Sequence, residues 1–73
     1  MDYEKIGALI RNLRTQQGLT QRELAQRLTV SDKAVSKWER GQGCPDVSLL
    51  PSLAQTLGVE VEGLLAGELL ENE

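Results

Sequence analysis

The chain has 73 residues, enough for one domain, and a domain of this size buries only about 60% of its unfolded surface, which leaves modest stability. Hydrophobic residues make up 40% and aromatic residues 3%, so the core must come from Leu, Ile, Val and Ala, a composition suited to helices packed on helices. One cysteine and no histidine exclude an internal disulfide framework and remove the usual general base and the commonest metal ligand.

Met1 is followed by charged residues rather than an apolar run, and no stretch approaches the roughly 20 residues that cross a bilayer. A soluble protein of a reducing, cytoplasmic compartment is therefore expected, with no membrane partner. The net charge of -3 by itself argues against a nucleic-acid partner, because phosphate contacts need Lys and Arg. The distribution argues the other way. Residues 1–42 hold all 8 basic residues against 5 acidic ones, a net +3, and residues 43–73 hold 6 acidic residues and no basic one, a net -6. Such asymmetry fits a basic face that meets DNA and an acidic end held away from it, or two ordinarily solvated ends.

Ile6, Leu9, Ile10 and Leu13 recur at helical spacing and predict a first amphipathic helix from about Tyr3 to Gln17, closed where Gly18 takes a left-handed conformation. Thr20-Gln21-Arg22-Glu23 is a capping box that opens a short second helix with Leu24, Ala25 and Leu28 inward. Ser31 caps a third helix, with Val35 and Trp38 on its inner side and Gly41 as its stop. Residues 41–46, Gly-Gln-Gly-Cys-Pro-Asp, read as a loop within one domain. Leu50, Leu53, Ala54 and Leu57 then restart the helical period. With Ser48 as the cap of this fourth helix, Pro51 falls in the first turn, where its missing N–H has no intrahelical partner anyway. Gly58 ends it, and a short fifth helix from about Glu60 to Ala66 carries Leu64 and Leu65. The predicted fold is all-α, a compact five-helix bundle, with the domain over residues 1–67 and residues 68–73 as a C-terminal tail.

The second and third helices carry the functional signal. In a helix-turn-helix the two helices cross closely, which needs a small residue at the crossing (Ala25), apolar anchors beside it (Leu24, Leu28) and apolar residues from the second helix below (Val30, Val35, Trp38). All six positions are suitably filled. At about 100° per residue, Asp32, Lys33, Ser36, Lys37 and Arg40 fall within an arc of about 140° opposite Val35 and Trp38. That stripe is mostly cationic and rich in hydrogen-bonding groups, which suits the major groove. Asp32, Lys33, Ser36 and Lys37 are the candidates for base contact, and Gln21, Ser31 and Arg40, at the edges of the unit, for phosphate contact. Asp32 near a helix start is favoured by the macrodipole whatever the protein binds, or it accepts from cytosine N4. Ser36 either contacts DNA or sits in solvent. Trp38 is placed in the core rather than stacked on unpaired bases, and Cys44 is read as an unreactive loop thiol.

The sequence resembles the lambda and 434 repressor/Cro, or XRE, family of helix-turn-helix regulators over about residues 6–67. The resemblance rests on three segments: Leu19-Thr20-Gln21-Arg22-Glu23-Leu24-Ala25, Val35-Ser36-Lys37-Trp38-Glu39-Arg40-Gly41, and Leu53-Ala54-Gln55-Thr56-Leu57-Gly58-Val59 followed by Leu64-Leu65-Ala66-Gly67. It implies the lambda repressor-like fold, a phosphate bond from Gln21 at the start of the second helix, and base-facing roles for Asp32, Lys33 and Lys37. It further implies that Arg14 pairs with Glu39 and ties the recognition helix to the scaffold; the alternative is an idle surface pair that contributes about 0–1 kcal/mol. A bacterial or phage regulator associated with the nucleoid follows, bound to DNA as a homodimer on two half-sites about one helical turn apart, with Val59, Val61, Leu64 and Leu65 as candidates for the dimer contact or as simple core closure. Thr29 departs from the pattern, standing where the family usually has glycine, so a reshaped or mildly strained turn is expected.

The rival reading is a protein-interaction module, an antitoxin or accessory domain that binds a partner through its acidic, Leu-rich C-terminal part. An enzyme is not expected, because the chain has no histidine, no glycine-rich phosphate loop and no paired thiols. No cofactor, metal or small-molecule ligand is announced by any motif.

Overall fold

The computed structural model describes residues 2–67 as five α-helices and one short 3-10 turn. The tail expected at residues 68–73 lies outside the described residues. Helix α1 spans Tyr3–Gln16, α2 Gln21–Leu28, α3 Asp32–Glu39, α4 Leu50–Leu57 and α5 Val61–Ala66, and the 3-10 turn is Val47–Leu49.

The first three helix starts, and the stops of α1, α3 and α4, follow from local chemistry. The Asp2 carboxylate accepts from the Lys5 backbone N–H at 3.1 Å and opens α1. The Thr20–Glu23 capping box is complete, with the Glu23 N–H donating to Thr20 Oγ1 and the Thr20 N–H donating to Glu23 Oε1, both at 3.0 Å. Ser31 Oγ accepts from the Ala34 N–H at 3.1 Å at the head of α3. At the other ends the chain turns left-handed and feeds an N–H back to the last turn: Leu19 to the Arg14 carbonyl, Gln42 to Lys37 and Val59 to Ala54.

The fourth helix begins differently from the sequence expectation. Asp46, not Ser48, is the capping residue: its carboxylate accepts from both the Ser48 N–H and the Ser48 hydroxyl, and this opens a 3-10 turn that feeds into α4. A carboxylate outcompetes a hydroxyl as acceptor, so Ser48 becomes a donor. Pro51 still lies in the first turn, as the missing N–H requires.

The core is aliphatic, with Ile10, Leu24, Val35, Leu53 and Leu64 fully buried and Trp38 only 6% exposed. Helix α1 lies across α3 and against α5, and α2 packs on α3. The α1–α3 approach is closest at Gly7, where a Cβ would overlap the Trp38 carbonyl, so only glycine lets α1 rest on the backbone of α3. The corner after α1 is tied to the end of α4 by Gln17, whose Nε2 donates to the Leu57 carbonyl at 2.7 Å.

Leu64 was a candidate for a contact between copies. Its complete burial removes it from that role and assigns it to the core, while Val59, Val61 and Leu65 remain partly exposed at the edge of the same cluster.

Candidate nucleic-acid interface

Helices α2 and α3 are joined by Thr29, Val30 and Ser31. Thr29 is the one non-glycine described residue with positive φ, at 59° with ψ 44°. A β-branched side chain in this region costs about 1–2 kcal/mol. The turn offsets this with a cap bond from the Val30 N–H to the Ala25 carbonyl at 3.0 Å and a second from the Thr29 N–H to Gln26 at 3.3 Å. The result is a tight corner that sets α3 across α2, with Ala25 buried at the crossing.

Helix α3 presents two opposite faces. Val35 and Trp38 are buried on one side, and Asp32, Lys33, Lys37 and Arg40 are exposed on the other, with Ser36 half-buried among them and Ser31 exposed at the head. The cationic stripe therefore stands clear of the bundle. Among the described residues the one ion pair is Arg14–Glu39, so no carboxylate in that set neutralises Lys33, Lys37 or Arg40. The Arg40 Nε donates to the Ser36 carbonyl at 3.3 Å, which lays the guanidinium along the stripe. Ser31 Oγ acts as acceptor toward Ala34 and keeps its own proton for an outside acceptor.

Behind the stripe, one carboxylate joins three helices. Glu39 at the end of α3 receives Arg14 Nε at 2.6 Å and Nη2 at 3.0 Å, and Gln21 Nε2 at 3.1 Å. Arg14 also donates through Nη1 to the Leu19 carbonyl at 2.7 Å, so the α1–α2 corner belongs to the same network. The side chains of Arg14 and Glu39 are 11% and 4% exposed. The hydrogen bond to Glu39 raises the Arg14 pKa above its ordinary value, so the guanidinium keeps its charge in this network.

Gln21, expected on phosphate, is also bonded to Glu39, a partner that the sequence reading leaves out. The signal was present: Gln21 precedes Leu24, Ala25 and Leu28 by three, four and seven residues, so it shares the face that α2 turns toward α3. One amide N–H of Gln21 remains for a phosphate. Of the remaining candidates, Asp32, Lys33, Ser36, Lys37, Arg40 and Ser31 are brought together on one surface, and Gln21 stands at its edge.

The helix-turn-helix family model (HTH_3) matches residues 10–64. The chain belongs to this XRE-type family of DNA-binding transcription regulators. It is 43% identical over 59 residues to the HTH-type transcriptional activator BcrR of Enterococcus faecalis, a match that covers 81% of this chain and 29% of BcrR. The clp gene regulator ClgR from Corynebacterium glutamicum superposes with a TM-score of 0.80 at 36% identity, over 92% of this chain and 71% of ClgR. The same fold also forms part of an enzyme: hydroxypropylphosphonic acid epoxidase matches with a TM-score of 0.77 at 25% identity over 86% of this chain and 34% of that one. The helix-turn-helix chain thus spans well under two thirds of BcrR, and what these proteins share with it is the segment that carries α2 and α3. Among the described residues no group of His, Cys, Asp and Glu is placed to hold a metal ion, and no helix is long and apolar enough to cross a membrane.

Proposed function

We propose that the chain reads double-stranded DNA as a sequence-specific regulator, with α3 in the major groove. The observation that carries this reading is the solvent-facing stripe Asp32, Lys33, Ser36, Lys37 and Arg40, opposite the buried Val35 and Trp38. Lys33 and Lys37 reach guanine O6 and N7, Ser36 and Asp32 bond neighbouring base edges, and Ser31, Arg40 and the remaining amide N–H of Gln21 hold the flanking phosphates. The Arg14–Glu39–Gln21 network fixes the angle at which α3 enters the groove. Residues 1–67 form the reading domain, and no chemistry on a substrate is assigned to it.

An eight-residue helix reads few base pairs, so two copies on half-sites about one helical turn apart supply the specificity. Val59, Val61 and Leu65, each half-buried and packed against the core cluster, offer the apolar edge for that contact. Selection of bound duplexes from a random pool tests both parts. A palindromic consensus with half-sites about 10 base pairs apart supports them. Absence of any retained duplex at low salt refutes the DNA reading, and affinity that hardly responds to salt would favour a protein partner instead.

A further inference from the structure

Beside the DNA-facing stripe, between α3 and the loop that follows it, lies a cleft of about 320 Å³. Ala34 and Trp38, one turn apart on α3, form one wall, and Gly43 and Cys44 of the loop form the other. Burial raises the Cys44 thiol pKa, so this wall stays neutral. Lys33 and Lys37 stand on the rim, one turn apart and, among the described residues, without a carboxylate partner. The volume is at the lower end for small-molecule sites, which combine apolar walls with a few placed polar groups.

From this combination we propose that the cleft is an effector site for a small aromatic carboxylate, whose ring lies between Trp38 and Cys44 and whose anionic head is held by Lys33 and Lys37. Charge complementarity chooses the ligand: a cation is repelled at the rim, an uncharged molecule gains nothing from the two ammonium groups, and a bare phosphate leaves the apolar walls empty. The inference rests on the DNA reading in one respect. The same two lysines serve the duplex, so a bound carboxylate and DNA exclude one another, and the effector releases the regulator from its site.

Benzoate is the probe, followed through backbone amide shifts of the full chain without DNA, so that failure here leaves the duplex reading untouched. The expected result is a saturable shift confined to residues around Ala34, Lys37, Trp38, Gly43 and Cys44, with benzyl alcohol and inorganic phosphate each binding at least about tenfold more weakly, the equivalent of one lost charge-assisted contact. Ala34→Leu fills the cleft and abolishes the benzoate shift while duplex retention persists. Lys37→Gln, measured against benzoate alone, weakens binding about five- to tenfold and serves where Ala34→Leu does not fold. Benzoate added to the protein–duplex complex displaces the DNA. No saturable shift, equal shifts from benzyl alcohol, or undiminished binding by folded Ala34→Leu or by Lys37→Gln overturns the site, and retention of duplex by benzoate-saturated protein overturns the exclusion.

Discussion

Glu39 holds Arg14 through both carboxylate oxygens, at 2.6 and 3.0 Å, although 25 residues separate them in the chain. The pair lies under the reading surface, so its first consequence is for stability. Glu39→Gln leaves the part-buried Arg14 guanidinium without its counter-charge, and a cost of about 1–3 kcal/mol is expected. The double variant Arg14→Met with Glu39→Met recovers much of that loss, since no charge is then left unpaired. Urea denaturation of the three proteins checks this; equal stability of Glu39→Gln and the parent would show that the pair does nothing for the fold.

Thr29 is expected to be a site where the sequence can be improved. Its side chain is exposed and its φ is 59°, so Thr29→Gly removes strain and loses no packing. A gain of up to about 1 kcal/mol follows, net of the extra freedom glycine has when unfolded, or about 4–8 °C in Tm. A lower melting temperature would mean that the threonine methyl and hydroxyl make a contribution larger than the strain.

Two glycines give a contrast within one fold. Gly7→Ala drives a Cβ onto the Trp38 carbonyl, a backbone atom that cannot swing aside, and about 1–3 kcal/mol or more is lost as α1 is pushed off α3. Gly43→Ala meets nothing within 4 Å and its backbone is not left-handed, so it is neutral or stabilises by about 0.4–1 kcal/mol. Thermal melts that rank the two substitutions the other way would contradict the close helix approach.

The capping box adds a pH dependence. Backbone and hydroxyl hydrogen bonds from Thr20 hold the Glu23 pKa below its ordinary 4.5, and Ser48 does the same for Asp46 relative to 3.8. A lowered folded-state pKa means stability that is fully present above the ordinary value and is lost as pH falls through the folded one. Melting temperature should therefore drop as pH goes from about 5 toward 2. Glu23→Gln keeps a capping side chain that does not titrate and should flatten that drop; an acid limb of unchanged steepness would remove Glu23 from its cause.

On DNA the stripe and its edges should separate by type of effect. Lys33→Ala is expected to cost about 1–3 kcal/mol and to relax preference at one position of the site, whereas Arg40→Ala weakens all duplexes alike and lowers the salt slope by about 1. Binding isotherms on consensus and single-substitution duplexes at several salt concentrations distinguish the two. An Arg40 variant that changed base preference would move that residue from phosphate to base.

Much of this architecture was legible because short-range chemistry governed it. The Thr20–Glu23 box, the Ser31 cap and the glycines at 18, 41 and 58 act over a few residues, and the inward spacing of Val35 and Trp38 left only one side of α3 for the cations. What escaped was competition. Ser48 and Asp46 are both capping types two residues apart, and only the fold decides which is donor and which acceptor. Gln21 has amide groups for both a phosphate and Glu39, and the second becomes visible only when α3 is laid across α2. Leu64 could close a core or meet another copy, and its complete burial follows from packing against α1.

Helices α2, α3 and α4 are eight residues each and α5 is six, lengths at which a helix has almost no independent existence in water. A peptide cut from residues 20–40 would keep every proposed base-reading side chain and lose the rigid surface that presents them. Warming that melts the bundle would abolish recognition in the same transition, so the regulator also carries an upper temperature for its own activity, set by its aliphatic interior rather than by anything at the groove.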